Sequence, residues 1–145
     1  MQLSKSQYTQ MYKEASEGTK SYLTIPKAFV IGGLICTFGE FLRKTFENAG
    51  LENESASLAT SVTLIFLSAL FTGLGLYSKL AKHGGAGTLV PITGFANSVV
   101  APAVEFKSEG FILGLGAKIF IISGPVILYG TLASVLYGII YWLTS

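Results

Sequence analysis

Apolar positions along the chain form long runs separated by short polar stretches. The first run covers 28–42 with Glu40 as its one charge, and it can extend to Phe46 if Arg43 and Lys44 reach the membrane surface. The second run, 57–78, has no charged residue over 22 positions. Since about 20 consecutive apolar residues span a bilayer, the pattern predicts a membrane helix in each run.

The third stretch, 88–106, is apolar but irregular. It follows a glycine cluster at 84–87 and contains Pro91 and Pro102. Glycine and proline interrupt regular helices, and irregular backbone is tolerated at membrane depth only against protein or a water-filled cavity. We therefore predict a broken or re-entrant segment over about 86–104.

The last apolar stretch, 110–143, is longer than a bilayer is thick. Its 34 residues would form a helix about 51 Å long, against a hydrocarbon core of about 30 Å. Because proline removes a helical hydrogen bond, we expect a break at Gly124–Pro125. Either two segments cross, or a half-helix leads into a full one. Together, the four apolar stretches predict an all-α integral membrane protein with four to five membrane helical segments.

The N-terminal segment, 1–26, is polar, and the domain prediction separates it from a single membrane domain over 27–145. A possible cap followed by a helical apolar face predicts a short amphipathic helix over 5–17 at a membrane surface; a frayed tail is the alternative. The chain up to Lys27 and the 79–85 loop carry six lysines. The positive-inside rule therefore predicts a cytoplasmic N-terminus.

Composition supports membrane insertion and excludes several other classes. Charged residues make up 12% of the chain, about half the usual share in soluble domains, and the mean hydropathy is +0.57. The net charge of +2, without a basic stripe, argues against nucleic-acid binding. With one cysteine (Cys36), one histidine (His83) and no aspartate, we expect no disulfide and no metal site.

Nothing in the chain predicts an enzyme. Gly114-Leu115-Gly116 does not complete a dinucleotide-binding motif, and no phosphate-binding loop has the required spacing. His83 beside a glycine turn is expected to be a surface residue. An intramembrane enzyme, which would need a nucleophile–base pair, is the least favoured hypothesis, and we expect no cofactor.

Polar side chains inside apolar runs are the candidate functional residues, because burying them in lipid is costly. Glu40 either pairs with Arg43 or Lys44, or faces an aqueous path. Lys118 has three alternatives: it reaches the nearer membrane surface, pairs with a carboxylate such as Glu105, or attracts an anionic solute.

The broken segment supplies the other candidates. Asn97 either makes a helix–helix hydrogen bond or lines a solute path together with neighbouring groups. The predicted transport-path residues are therefore Glu40, Pro91, Thr93, Gly94, Asn97, Ser98 and Lys118.

Two series of small residues predict close helix packing. One recurs every seven residues and the other every four, spacings that place small side chains along one helix face. The predicted packing residues are Ser61, Ser68 and Gly75 in the first series, and Gly130, Ser134 and Gly138 in the second.

Three stretches carry a resemblance to a known family. They are KAFVIGGLIC at 27–36, GAGTLVPITGFANS at 85–98, and EFKSEG at 105–110 followed by Gly114. Over about residues 22–143 the chain resembles the stage V sporulation protein AC/AE (SpoVAC/SpoVAE) membrane family. The Lys-Ser-Glu-Gly sequence at 107–110 and the longer N-terminal segment favour the AC branch. One departure is Glu40, where we expect glutamine in the family.

The resemblance implies a function in endospore-forming bacteria. Such proteins are integral to the spore inner membrane and move dipicolinic acid, usually with calcium, inward during sporulation and outward during germination. The implied partners are an AE-type membrane subunit and a soluble AD-type subunit that binds dipicolinate.

Three hypotheses follow. The first is a channel or transporter subunit for dipicolinic acid. The alternatives are a membrane scaffold that docks the soluble partner, and a less selective small-solute channel gated by membrane tension. Because one copy is too small to enclose such a pore, we expect an oligomer.

Overall fold

A computed structural model describes Met11 and residues 21–144. The amphipathic helix predicted over 5–17 therefore lies outside the described residues, apart from Met11. Within the described part every regular element is helical and no strand is present. The elements are α1 (Ser21–Asn48), α2 (Asn53–Gly73), α3 (Leu76–Gly84), α4 (Ala86–Leu89), α5 (Ile92–Glu105), a π-helical turn (Phe111–Gly116) and α6 (Ala117–Thr144).

The distribution of side chains is the reverse of that in a soluble protein. Large apolar residues are exposed along all the long helices, while the largest of the fully buried side chains are small and polar, Thr88, Ser68 and Ser123. Lipid solvates apolar surface, so helices in a bilayer instead bury small residues and hydrogen-bonding groups against one another. The predicted all-α membrane fold is confirmed.

Three helices among the described residues are long and apolar enough to cross a membrane. They are α1, α2 and the continuous helix from the π-helical turn through α6, which covers Phe111–Thr144. The number of crossings, given as four to five helical segments, stays a prediction.

α1 and α2 pack antiparallel. The Cβ position of buried Gly39 lies 3.4 Å from a methyl group of Leu64, and Arg43, one turn further along α1, bonds to Asn53 at the start of α2. A tight turn joins the helices, and Gly50 adopts φ +98°, a conformation that glycine adopts without strain.

α2 and α5 run parallel. Ser68 Oγ donates to the Thr93 carbonyl at 2.6 Å, and one turn further along both helices Thr72 Oγ1 lies 2.9 Å from the side-chain amide of Asn97. Since both partners advance by four residues, the two helices point in the same direction.

Residues 76–105, which we call the α3–α5 unit, begin and end near the C-terminal end of α2. α5 begins beside Ser68, within the last turns of α2, and continues past the end of that helix to Glu105. α3 and α4 must therefore bring the chain back alongside Ser68 before α5 starts. The irregularity predicted over 86–104 is confirmed: α3 ends at Gly84, α4 has four residues, and α5 starts after Pro91.

The second membrane helix is shorter than the apolar run that predicted it. α2 ends at Gly73 instead of continuing to Ser78, and Gly75 lies in the following turn with φ +69°. No atom lies within 4 Å of its Cβ position. Gly75 therefore reverses the chain outside the helix, and its packing role stays a prediction.

The break expected at Gly124–Pro125 is wrong. α6 continues through Pro125 to Thr144. The irregularity occurs earlier, in the π-helical turn, where Leu115 N–H donates to the Gly110 carbonyl at 2.9 Å. The chain winds so closely there that a Cβ on Gly114 would lie 2.6 Å from the backbone of Glu109.

The remaining small residues divide into two groups. Ser68 is 1% exposed and packs against α5, and Ser61 is partly buried on the same helix. Gly130, Ser134 and Gly138 are exposed, so packing of that half of α6 stays a prediction.

Candidate functional site

Buried hydroxyl groups connect α2 to the α3–α5 unit. The phenol of Tyr77, 4% exposed, donates to the Thr88 carbonyl at 2.7 Å and lies 3.2 Å from the Thr93 hydroxyl. Ser68 completes the network through its bond to the Thr93 carbonyl. Buried polar atoms are stable when each has a partner, so this network fixes the start of α5 beside the end of α2.

Two glycines allow the backbone to come this close. A Cβ on Gly87 would lie 2.0 Å from the carbonyl oxygen of Ala28 in α1, and one on Gly94 would lie 2.2 Å from the carbonyl oxygen of Leu89. Neither position has room for a methyl group. The glycines of the GAG…VPITG stretch therefore allow α4 to pack directly on α1 and α5 to turn sharply away from α4.

A polar groove of about 430 Å³ lies beside this network. The helices α2, α3 and α5 surround it, and most of its polar groups are oxygen atoms. Its lining residues are Thr72, Ser78, Ala81, Asn97, Ala101, Val104 and Glu105.

Asn97 is a polar group of the groove that bonds across to α2. Thr72 Oγ1 donates to Asn97 Oδ1 at 2.9 Å and lies 2.7 Å from the Ser68 carbonyl of its own helix. A hydroxyl has a single proton, so Thr72 shares it between these two oxygen atoms. Asn97 thus makes the helix–helix hydrogen bond that was one of its two predicted roles, and it also lines the groove.

The chemistry of the groove favours a solute that hydrogen-bonds or carries positive charge. The lining has hydroxyl groups, one amide and the Glu105 carboxylate, but no basic side chain. Such oxygen atoms are the ligands that Ca²⁺ prefers. A free dianion would be repelled by Glu105, whereas a chelate whose metal offsets the negative charge would not.

The other candidates in the broken segment have different surroundings. Thr93 is buried in the hydroxyl network and Gly94 at the α4–α5 turn. Pro91 precedes the first residue of α5 in an extended conformation. Ser98 Oγ donates to the Phe95 carbonyl of its own helix at 2.7 Å, and Ser98 does not line the groove.

Lys118 lies in the first turn of α6. Its ammonium group is 4.7 Å from the centre of the Phe106 ring, a cation–π contact. It forms no ion pair within the described part of the chain, and it does not line the polar groove.

Glu40 lies far from the groove, in an ion-pair network around Arg43. The guanidinium binds both Glu40 oxygen atoms, at 2.7 and 2.8 Å, and also contacts Glu47 and Asn53. The pairing of Glu40 with Arg43, one of its two predicted alternatives, is therefore present. Asn53 and the groove residue Thr72 are about 29 Å apart along α2, so Glu40 and Asn97 lie near opposite ends of that helix.

Sequence reasoning missed three residues that build this site: Tyr77, Thr72 and Thr88. Tyr77 lies at the end of the second apolar run, 57–78, which predicted a membrane helix and assigned this residue no separate role. Ser68 and Thr72 are one helical turn apart in α2, and that spacing was the available signal. Thr88 carried no signal, because its contribution is a backbone carbonyl.

These features define an all-α membrane protein whose irregular unit forms a polar groove with one of its long apolar helices. Residues 24–140 match the family model of the SpoVAC/SpoVAEB sporulation membrane proteins, and the chain belongs to that family. It is 44% identical over 115 residues to stage V sporulation protein AC of Bacillus subtilis (strain 168), covering 79% of this chain and 77% of that protein. No solved structure matches the chain.

Proposed function

We propose that this sporulation membrane protein is a subunit of a channel or transporter for dipicolinic acid, moved as its calcium chelate across the spore inner membrane. The family resemblance supplies the solute. The observation that carries the proposal is the groove between α2 and the α3–α5 unit, with the polar side chains of Thr72, Asn97 and Glu105 in its lining. Dipicolinate is a dianion that cannot cross hydrocarbon unaided. The negative charge of the Glu105 carboxylate favours the calcium chelate over the free dianion.

The α3–α5 unit supports a path that is completed by other subunits. α5 is about 21 Å long, shorter than the hydrocarbon core of about 30 Å, so its groove reaches only part of the way across. Further copies or an AE-type membrane subunit would complete the path, and a soluble AD-type subunit would deliver or receive dipicolinate. With a cytoplasmic N-terminus, α1 and α2 cross the membrane in opposite directions and return the chain to the cytoplasmic side. The α3–α5 unit then enters and leaves the membrane from that side.

The first experiment is the dipicolinate content of spores from the source organism with this chain deleted, beside a complemented strain. Loss that is restored by complementation is the expected result. Normal content in the deletion strain would contradict a role in uptake.

Point variants then test the groove. Asn97→Leu is expected to lower spore dipicolinate while the protein still inserts in the membrane, because it replaces a polar group of the groove with an apolar one. Ser98→Ala is the matched control, since the Ser98 hydroxyl bonds only within its own helix in the described structure. If Asn97→Leu and Glu105→Gln spores both retain normal dipicolinate while deletion abolishes it, the chain acts as the scaffold and another subunit forms the path.

A further inference from the structure

A second pocket, separate from the polar groove, lies between α1 and the corner that joins α3 to α4. Its volume is about 210 Å³. Ile25 and Ala28 of α1 form an apolar side, and Lys82 and His83 of α3 form a basic side. The pocket therefore places an apolar surface on the first turns of α1 opposite a basic surface on the last turn of α3.

The basic side has no acidic partner in the described part of the chain. The ion pairs formed by described residues all involve Arg43, and no glutamate lines this pocket. His83 Nδ1 lies 3.0 Å from the Lys79 carbonyl, to which it donates. In the neutral ring Nε2 is then an acceptor, so the ammonium group of Lys82 supplies the positive charge and the donor of this pocket. The exposed ammonium groups of Lys79 and Lys82 add positive charge at the same edge.

α1 carries a second groove on the same turns, of about 270 Å³, lined by Pro26, Lys27, Val30 and Ile31. Its surface is apolar, since Lys27 contributes its hydrocarbon stem and can extend its ammonium group toward water. Because α1 is long and apolar enough to cross the bilayer, this surface suits an acyl chain.

We propose that this pocket binds the phosphate of an anionic phospholipid, with an acyl chain of the same lipid in the groove along α1. A basic edge beside the membrane attracts anionic headgroups, and the apolar surface of α1 next to it suits a lipid rather than a soluble anion. The α3–α5 unit is then held to the membrane surface by a lipid as well as by α1. The proposal is independent of which solute the protein moves.

Native mass spectrometry of the full chain, purified in detergent, tests the proposal. The probes are phosphatidylglycerol and phosphatidylcholine with identical acyl chains. One phosphatidylglycerol molecule per chain is expected to be retained in preference to phosphatidylcholine. Lys82→Gln is expected to lower that retention by about fivefold, the effect of one basic residue near a charged membrane surface, and Lys82→Arg to preserve it.

Lys107→Gln is the matched control, because it removes the same charge from the exposed connection after α5. Equal retention of both lipids, or equal loss in the Lys82→Gln and Lys107→Gln variants, would overturn the proposal. A soluble anion is tested in a separate arm with glycerol 3-phosphate. If glycerol 3-phosphate displaces the lipid at millimolar concentration, the site recognises a soluble phosphate and the lipid assignment fails. Helical content measured by circular dichroism confirms that each variant is folded.

Discussion

The contact between Gly87 and α1 is the most demanding close approach of the α3–α5 unit, and replacing Gly87 with alanine tests it. An added Cβ would lie 2.0 Å from the Ala28 carbonyl oxygen, 2.8 Å from the Ala28 carbonyl carbon and 2.9 Å from the Gly32 nitrogen. Real Cβ atoms essentially never come closer than 3.0 Å. Since all three neighbours are backbone atoms of a regular helix, α4 must move away by about 1 Å.

The energetic cost has two parts. Overpacking of this kind costs about 1–3 kcal/mol, and the rigid neighbours place Gly87→Ala toward the upper end. Movement of α4 also stretches the 2.7 Å hydrogen bond from Tyr77 to the adjacent Thr88 carbonyl, which contributes about 1 kcal/mol. With a total of about 4 kcal/mol, a chain of this size is expected to lose about 12 °C in its unfolding midpoint.

The assay is the apparent midpoint of thermal unfolding in detergent, followed by loss of the monodisperse size-exclusion peak, together with hydrogen exchange over residues 86–95. Gly33→Ala is the matched control, because its Cβ position in α1 has no atom within 4 Å and alanine favours a helix over glycine by about 1 kcal/mol. The control is expected to keep or raise the midpoint. Equal midpoints for Gly87→Ala and the wild-type chain, with unchanged exchange, would refute the close packing of α4 on α1.

Three further predictions follow from single contacts. Tyr77→Phe leaves a buried backbone carbonyl without its donor, which is expected to cost about 1–3 kcal/mol and to lower the unfolding midpoint; an unchanged midpoint would mean that water replaces the phenol. Arg43→Gln removes the hydrogen bond from the end of α1 to Asn53 at the start of α2, so limited proteolysis at residues 49–52 should accelerate, whereas Lys44→Gln, which leaves this bond in place, should match the wild-type rate. Lys118→Met is expected to leave spore dipicolinate unchanged, because its ammonium lies on an aromatic ring outside the polar groove; a fall in dipicolinate would place that charge on the solute path.

The candidate site was predictable in part. The polar residues of an apolar, proline-containing segment were identified from composition alone, because polar groups at membrane depth need partners. Asn97 lines the groove and Thr93 contributes to the network beside it. The separation of Glu40 and Lys118 from that groove was not predictable, since it depends on which ends of the helices meet.

The sequence by itself determined that the protein is an all-α membrane protein with long apolar helices and an irregular segment after the glycine cluster. These properties follow from local physics: run length against bilayer thickness, the scarcity of charge, and the inability of Gly84–Gly87 and Pro91 to continue a helix. Only the tertiary structure decided that α5 runs parallel to α2, that α2 ends before Gly75, and that α6 passes through Pro125. The direction of α5 depends on contacts between residues distant in sequence, such as Ser68 with Thr93, which fix helix direction through hydrogen bonds that no local pattern encodes.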